Sequence, residues 1–375
     1  MIKKHCCCFL LLTFVAIFKT SAQNLKLSDN AQISILTCDV GQELHTLFGH
    51  TAIRINDAEN GFDAVYNFGY FDFSTPNFYW KFVKGDLRYF VALDSFENFM
   101  SEYIYYNRGV YQQNLNLTPS EKQNIFEDLT KTLQSDEKFY TYKFIDKNCT
   151  TMICDLITKN TKTIISKNIK DQNITNRSIL YSYLGNHFYE NLGINVIFGA
   201  KVDQKFYKIF LPLQLLEALK ITKTNQNRPF CSSTNTLNIQ SSEKPFSMLN
   251  NCFSLILVLL IIAVINKKWL TSTYFVILGL IGFFLIGVGF YSFHEEVWGN
   301  YNIFLFNPLY ILIAILLHTN NQKIHKYIIS LVAITLVFYF IFIVSKPFFI
   351  LFLPIMVANS VLLFRNHQTV KSKKI

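Results

Sequence analysis

Cys149 and His50 are the residues of this sequence whose types and surroundings point most directly to chemistry. Cys149 follows a short apolar stretch that stops at Asp146 to Asn148, and the residues after it show the i, i+3, i+4 apolar spacing of a packed helix. Asn148 or Asp146 can cap that helix. Because free amides and the positive dipole end favour thiolate over thiol, the sequence predicts a nucleophilic cysteine in the first helical turn. The alternative is a small buried cysteine at a helix start.

His50 supplies the base that such a cysteine requires. The pair Gly49-His50 opens a segment, residues 51–55, that alternates as a half-buried strand does. Nucleophile, base and helix amides are the parts that thiol acyl transfer needs. The order of histidine before cysteine resembles circularly permuted relatives of the papain-like fold, to which NlpC-type peptidases and the lecithin:retinol acyltransferase group are related. Asn148-Cys149 at a helix start is similar to the latter group.

A third group is needed to hold the tautomer of the base. Asn67 is the first choice on the next strand-like segment, with Tyr66 and Asp72 as alternatives. The same region, residues 65–73 and 77–86, is rich in aromatic side chains. Most of these rings are expected in the core, and a minority can form an apolar groove for an acyl chain.

The N-terminal residues 1–22 have the pattern of a secretory signal peptide, with Lys3 and Lys4 ahead of an apolar run and a small-residue cut site at Ala22. Cys6 to Cys8 are expected to leave with it. Five cysteines remain, an odd number, so at least one thiol stays unpaired within the chain. Whether Cys38 pairs with Cys154 or Cys231 is left open.

The C-terminal part has the composition of a membrane domain, in a chain that is 51% hydrophobic with 37 Phe. Lys and Arg follow the first, third and fifth of its apolar runs, which places the C-terminus in the cytoplasm. This placement accounts for most of the net charge of +10, and nucleic acid is discounted as a partner. The five predicted crossings are residues 252–265, 274–293, 303–317, 327–344 and 348–364.

The exported part is expected to be an α+β domain over residues 23–224, followed by a polar linker at 225–247 and the five-helix membrane domain at 248–375. Thr118 to Glu121 form a capping box with proline in the first turn of a packing helix. No close His or Cys spacing typical of a metal site occurs in the mature chain, and we predict no metal and no cofactor. The predicted strands are residues 32–38, 51–55, 64–68, 87–93, 110–117 and 140–145.

Several stretches together resemble the Lnb family, the lipoprotein N-acyltransferases of Bacteroidetes. They are residues 48–55, 66–69, 71–73 and 148–151 in the exported part, and 292–302 with Asn307-Pro308 in the membrane part. The resemblance implies a Cys149/His50 centre that moves an acyl chain from a phospholipid to the amino group of a lipoprotein's diacylglyceryl cysteine. Four polar residues within these stretches are assigned to substrate contacts: Asn148, Tyr66, Arg54 and His294.

Two other functions stay open at this point. The same dyad could serve a membrane-tethered papain-like hydrolase, a peptidase or amidase, and a scaffold protein would use Cys149 as a core residue. The aromatic region and the membrane anchor favour a lipid substrate over wall peptide. The expected partners are therefore a phospholipid donor, a lipoprotein acceptor and the inner-membrane bilayer.

Overall fold

The computed structural model describes residues 25–240, 247–265 and 267–372. The predicted signal peptide, with Cys6 to Cys8, lies outside the described residues. Cys38, Cys149, Cys154, Cys231 and Cys252 are all free thiols, so neither pairing considered for Cys38 is formed.

A seven-stranded antiparallel sheet forms the centre of the exported part. The strand order is β6-β4-β3-β2-β1-β5-β7. Strand β1 has the predicted bounds, whereas β6 is shorter than predicted because residues 142–148 turn back in a loop closed by a bridge between Lys143 and Lys147. The strands are β1 (Gln32–Cys38), β2 (His50–Asp57), β3 (Phe62–Tyr70), β4 (Arg88–Ser95), β5 (Val110–Leu115), β6 (Phe139–Thr141) and β7 (Cys231–Asn238).

Seven α-helices accompany the sheet within the described residues 25–240. Helix α3 begins at the predicted capping box of Thr118 and Glu121, and α4 begins at Cys149 with Asn148 as its cap. The helices are α1 (Phe78–Lys84), α2 (Phe96–Tyr105), α3 (Pro119–Gln134), α4 (Cys149–Thr161), α5 (Asn176–Tyr183), α6 (Phe188–Ile197) and α7 (Pro212–Ile221).

The two faces of the sheet bury different helices. Ile33, Ile35 and Ile53 face the larger core together with α3, α4 and α7. Leu36 and Val65 face a smaller cluster with α2. The alternation of buried side chains along each strand therefore serves two cores, which explains why β1 is buried along nearly its whole length.

Strand β7 lies within the segment interpreted as a linker. Its residues pair with β5 as an edge strand, and most of its side chains are exposed. The polar composition suits an edge strand, because β7 is held by backbone hydrogen bonds to β5 and by hydrogen bonds between polar side chains. One of these joins Asn114 Nδ2 to Ser233 Oγ at 2.9 Å. The domain therefore extends past residue 224 to Asn238 in the structure.

The C-terminal part has four segments long and apolar enough to cross a membrane within the described residues: Lys268–Tyr291, Glu295–Leu316, Gln322–Ile343 and Phe349–Gln368. The corresponding helices are α9 (Lys268–Tyr291), α10 (Leu309–Leu316), α11 (Gln322–Ile343) and α12 (Phe349–Ser372). The first predicted crossing is helix α8 (Cys252–Ile265), whose 14 residues extend for about 21 Å and are shorter than a bilayer core. Within the described residues there are therefore four candidate spans and one shorter apolar helix, and five crossings stay a prediction.

The second of these segments is not a continuous helix. It begins with two 3-10 turns, Glu295–Val297 and Tyr301–Phe304, and α10 follows only after Asn307-Pro308. Buried asparagines replace part of the missing helical bonding, since Asn302 Nδ2 donates to the Asn195 carbonyl at 2.8 Å. This irregular stretch is the junction between the membrane part and the exported part.

Candidate active site

His50 is oriented by Asn67. His50 opens β2, and Asn67 lies on the neighbouring strand β3, in register with Ala52. The His50 Nε2 and Asn67 Oδ1 atoms are 3.2 Å apart. An amide oxygen can only accept, so Nε2 carries the proton and Nδ1 is left with the lone pair. The arrangement therefore keeps the imidazole in a tautomer that can accept a proton at Nδ1.

Cys149 is the first residue of α4, and the turn before it is firmly held. Asn148 is almost fully buried and forms a capping box with Thr151. Its side-chain amide also donates to the carbonyls of Phe144 at 2.7 Å and Phe210 at 2.9 Å. These bonds engage both polar atoms of the Asn148 side chain and hold the turn that carries Cys149, and the substrate contact assigned to Asn148 stays a prediction.

A pair of threonines fastens the start of α4 to the start of β2. The hydroxyls of Thr51 and Thr150 are 2.9 Å apart, and both residues are buried. Each threonine is the immediate neighbour of a proposed catalytic residue, His50 or Cys149. The pair had no signal in the sequence, because an isolated threonine next to either residue is ordinary.

Cys149 and His50 line one cavity of about 360 Å³ at the end of the sheet where β2 begins and β3 ends. Both side chains are partly buried. Aromatic rings supply much of the remaining wall, and Arg108 and Glu102 supply charge. The lining residues are His45, Thr46, Gly49, His50, Phe68, Gly69, Tyr70, Phe71, Phe73, Tyr89, Glu102, Tyr103, Arg108, Tyr142 and Cys149.

The electrostatics of the cavity differ from the thiolate expected at a helix start. Burial raises the pKa of the Cys149 thiol above its ordinary 9.0, although hydrogen bonding from the Thr51 backbone opposes the shift. Burial lowers the pKa of His50 to about 4, against the hydrogen bond to Asn67. Desolvation thus opposes the helix amides and disfavours the predicted thiolate in the resting protein. Near neutral pH these shifts favour a neutral thiol beside a neutral imidazole.

Such a pair can work by general base catalysis. A neutral imidazole can take the thiol proton as the sulfur attacks a carbonyl, without a pre-formed ion pair. The first amides of α4 are available to a developing oxyanion, as at other helix starts. The geometry thus suits acyl chemistry on sulfur.

The other sequence-predicted residues lie elsewhere. Tyr66 is buried in the larger core. Arg54 forms a two-bond ion pair with Asp63 at 2.8 and 2.7 Å and lies over the Phe96 ring. Asp72 is exposed and bonds Ser74. None of these three side chains lines the cavity that contains Cys149 and His50.

His294 lies at the junction with the membrane part. Its Nε2 is 2.9 Å from the Phe82 carbonyl of α1, and its ring lies close to Gly85. The neighbouring Glu295 forms ion pairs with Lys143 and Lys201. This loop therefore contacts the exported domain directly.

No role was assigned to Glu296 from the sequence, yet this side chain is buried where the 292–300 loop contacts the exported domain. It is 1% exposed, and its Oε1 accepts from the Ile145 backbone amide at 3.0 Å. Ile145 belongs to the loop that leads into Cys149. No sequence signal could identify this role, because an acidic pair at the end of a membrane run is usually an exposed outer loop.

The described residues contain no group of three or more His, Cys, Asp or Glu side chains that could hold a metal ion.

Models of known protein families match both the exported part and the membrane part of the chain. The Lnb N-terminal periplasmic domain matches residues 20–181, and the Lnb transmembrane domain matches residues 238–373. No curated protein and no solved structure gave a significant match. With a periplasmic domain followed by a transmembrane domain, in the family's order and over most of its length, this chain belongs to the Lnb family of membrane proteins in lipoprotein biogenesis.

Proposed function

We propose that the protein is a lipoprotein N-acyltransferase that works through a thioester on Cys149. The observation that carries the proposal is the meeting of Cys149 with the Asn67-oriented His50 in one aromatic-lined cavity. The donor is a phospholipid of the bilayer, and the acceptor is the free amine of a diacylglyceryl-cysteine lipoprotein. The site would face the periplasm, with the helices in the inner membrane.

The first half-reaction acylates the thiol. The Cys149 sulfur forms a bond to the ester carbonyl carbon while His50 Nδ1 takes the thiol proton. The tetrahedral intermediate is stabilised by the first amides of α4, and the ester C–O bond then breaks. The imidazolium returns its proton to the leaving alkoxide, which departs as a lysophospholipid.

The second half-reaction moves the acyl group to nitrogen. The lipoprotein amine attacks the thioester carbonyl, the C–S bond breaks, and His50 transfers the amine proton to the departing sulfur. A base in this role contributes roughly 10²–10⁴-fold to the rate. Water must be kept from the thioester, and the aromatic wall supports this requirement.

The lining of the cavity favours a lipid over a cell-wall peptide as the substrate. Phe71, Phe73 and Tyr89 offer apolar surface beside Cys149, and the site sits in a domain joined to membrane helices through the 292–300 loop. A permuted papain-like arrangement is part of the proposal, since the histidine strand precedes the cysteine helix in the chain.

His294 has a positioning role in this proposal. The sequence suggested a head-group or substrate contact, whereas its ring nitrogen faces the Phe82 carbonyl. We assign it to holding α1 against the membrane part. His294→Ala is then expected to loosen α1 and to lower transfer from bilayer lipid.

The direct test is to trap the acyl-enzyme. Purified protein in phospholipid vesicles is expected to carry an acyl group on Cys149 that hydroxylamine releases, located by mass spectrometry. Adding a diacylated lipopeptide with a free amine should discharge it and yield the N-acylated product, and an N-acetylated lipopeptide should not. Cys149→Ala abolishes both signals, and the matched control Cys154→Ala, on the same helix, retains them.

Two outcomes would overturn the proposal. N-acylated lipopeptide formed by Cys149→Ala would exclude the covalent route. Cleavage of wall peptides by the wild type, with no acylation of amines, would replace it with the hydrolase.

The topology has its own experiment. Because basic residues follow the first, third and fifth apolar runs, alkaline phosphatase fused after residue 238 should be active and fused at the C-terminus inactive. An active C-terminal fusion would contradict five crossings.

A further inference from the structure

Helix α1 exposes aromatic side chains that a soluble domain would bury. Its sequence is Phe-Tyr-Trp-Lys-Phe-Val-Lys, and Tyr79 is 79% and Trp80 71% exposed. The aromatic pattern predicted mostly core residues here, yet no residue of α1 is fully buried. Exposed rings at this density mark a surface that contacts something apolar.

The position of α1 identifies what it contacts. Ser292 Oγ donates to the Val83 carbonyl at 2.7 Å, and the Phe293 amide donates to the Lys84 carbonyl at 2.7 Å. Ser292 directly follows α9, a candidate membrane span. Since the end of a spanning helix lies at the bilayer surface, α1 lies there as well. Trp and Tyr are the residues that proteins place at that depth, and Lys81 adds a cation for lipid head groups.

A continuous row of rings leads from α1 to the catalytic cavity. The ring centroids of Phe78 and Phe73 are 5.0 Å apart, and those of Phe73 and Phe71 are 4.9 Å apart. The Phe71 ring lies 5.2 Å from Tyr89, which stacks on Tyr142 at 4.7 Å. Every ring of this row except Phe78 lines the cavity that contains Cys149. Phe73 remains 66% exposed, so the row is open along part of its length.

We propose that α1 is embedded in the outer interface of the bilayer, and that the row from Phe78 to Tyr142 binds the acyl chain of a phospholipid as it passes from the bilayer to Cys149. The second half of this inference rests on the proposed acyl-transfer function, and the first half does not. The occupant is lipid because the row begins on a helix fastened to a membrane span. A protein partner on α1 is the outcome that the test must exclude.

Fluorescence tests the embedding without any turnover. The chain has three Trp, so the difference between wild type and Trp80→Phe isolates the Trp80 signal in vesicles. Phospholipid brominated near the head group should quench this component more strongly than phospholipid brominated near the chain ends. If aqueous iodide quenches this component and neither brominated lipid does, α1 does not lie in the bilayer interface. A protein partner would then be the remaining explanation for its exposed rings.

Enzyme kinetics test the acyl-chain route. Phe73→Ser and Trp80→Ala should lower kcat/KM for Cys149 acylation by vesicle phospholipid about tenfold or more, since each removes a large apolar contact. In Trp80→Ala, acylation by the soluble short-chain ester p-nitrophenyl butyrate should stay within about twofold of wild type, because this ester needs no bilayer entry. In Phe73→Ser, which changes the cavity wall, acylation by the soluble ester should fall less than acylation by vesicle lipid does. The matched control is Trp269→Ala, which changes a 64% exposed Trp at the opposite end of α9.

The results separate this inference from the proposed function. Equal losses with both donors would mean that the variants damage the site itself, and no loss with vesicle lipid would mean that the chain enters elsewhere; either result refutes the route. A wild type that forms no acyl-Cys149 with either donor would refute the proposed function, while the quenching result would still decide the position of α1.

Discussion

Raising the pH is expected to increase the alkylation rate of Cys149 by iodoacetamide about tenfold per pH unit between about pH 7 and pH 9, because only the thiolate reacts. Burial raises the pKa of this thiol above 9.0. At about pH 7 the Cys149 thiol is therefore expected to be mostly protonated. A catalytic cysteine paired with imidazolium would behave differently, with a rate that is already at its plateau near neutral pH.

The assay measures alkylation of the Cys149 peptide by mass spectrometry after timed quenching. Cys154 is the internal control, since it lies on the same helix and burial raises its pKa to about 12. Fragment spectra of the peptide that contains both cysteines should show Cys154 nearly unlabelled over the whole pH range. Far-UV circular dichroism at each pH checks that the fold is intact.

The acid side of the profile tests the base. Acylation by a soluble ester should fall as pH drops towards 4, since the pKa of His50 is lowered from 6.5 to about 4 by burial. Asn67→Asp places a carboxylate beside the imidazole, which favours imidazolium and should move the acid limb to higher pH. An alkylation rate that is flat above pH 7, with a midpoint between about 5 and 7, would show a thiolate–imidazolium pair and refute the reasoning.

Three further predictions concern stability, and thermal unfolding of the protein in vesicles measures each. Between pH 6.5 and about 4 the unfolded state binds a proton on His50 that the folded state does not, so stability falls as pH drops; His50→Gln should reduce this dependence. Glu296→Ala leaves the Ile145 amide without its partner and should cost about 1–3 kcal/mol, while Glu295→Ala, which removes partly exposed ion pairs, should cost less than about 1 kcal/mol. Asn148→Ala removes a helix cap and two buried hydrogen bonds and should lower the free energy of unfolding by about 2 kcal/mol or more. Its rate of Cys149 acylation should fall by more than the unfolded fraction accounts for.

Each of these has a contrary result. An unchanged pH slope in His50→Gln would mean that the imidazole is not held neutral by burial. Equal effects of Glu296→Ala and Glu295→Ala would mean that the Ile145 contact does not hold the loop. Full acylation by Asn148→Ala would mean that Cys149 needs no capped turn to position it.

Local elements were largely determined by the sequence. The strand-like run at residues 32–38 predicted β1 with its observed bounds, and the capping pattern at Thr118 predicted the start of α3. Asn148 before Cys149 predicted a capped helix there, and long apolar runs predicted the membrane segments. These features depend on contacts between residues close in the chain, whose spacing is visible in the sequence.

The tertiary structure decided what depends on distant partners. The polar composition of residues 231–238 predicted a linker. These residues form a strand because β5 offers an unpaired edge. The aromatic rings of α1 were predicted to lie mostly in the core. They are exposed because this helix is attached to the end of a membrane span. The ionisation of Cys149 follows the same logic: the helix start is local and favours thiolate, but burial comes from the whole fold and raises the thiol pKa. Desolvation and long-range pairing depend on which surfaces meet, and residue type and spacing do not encode that directly.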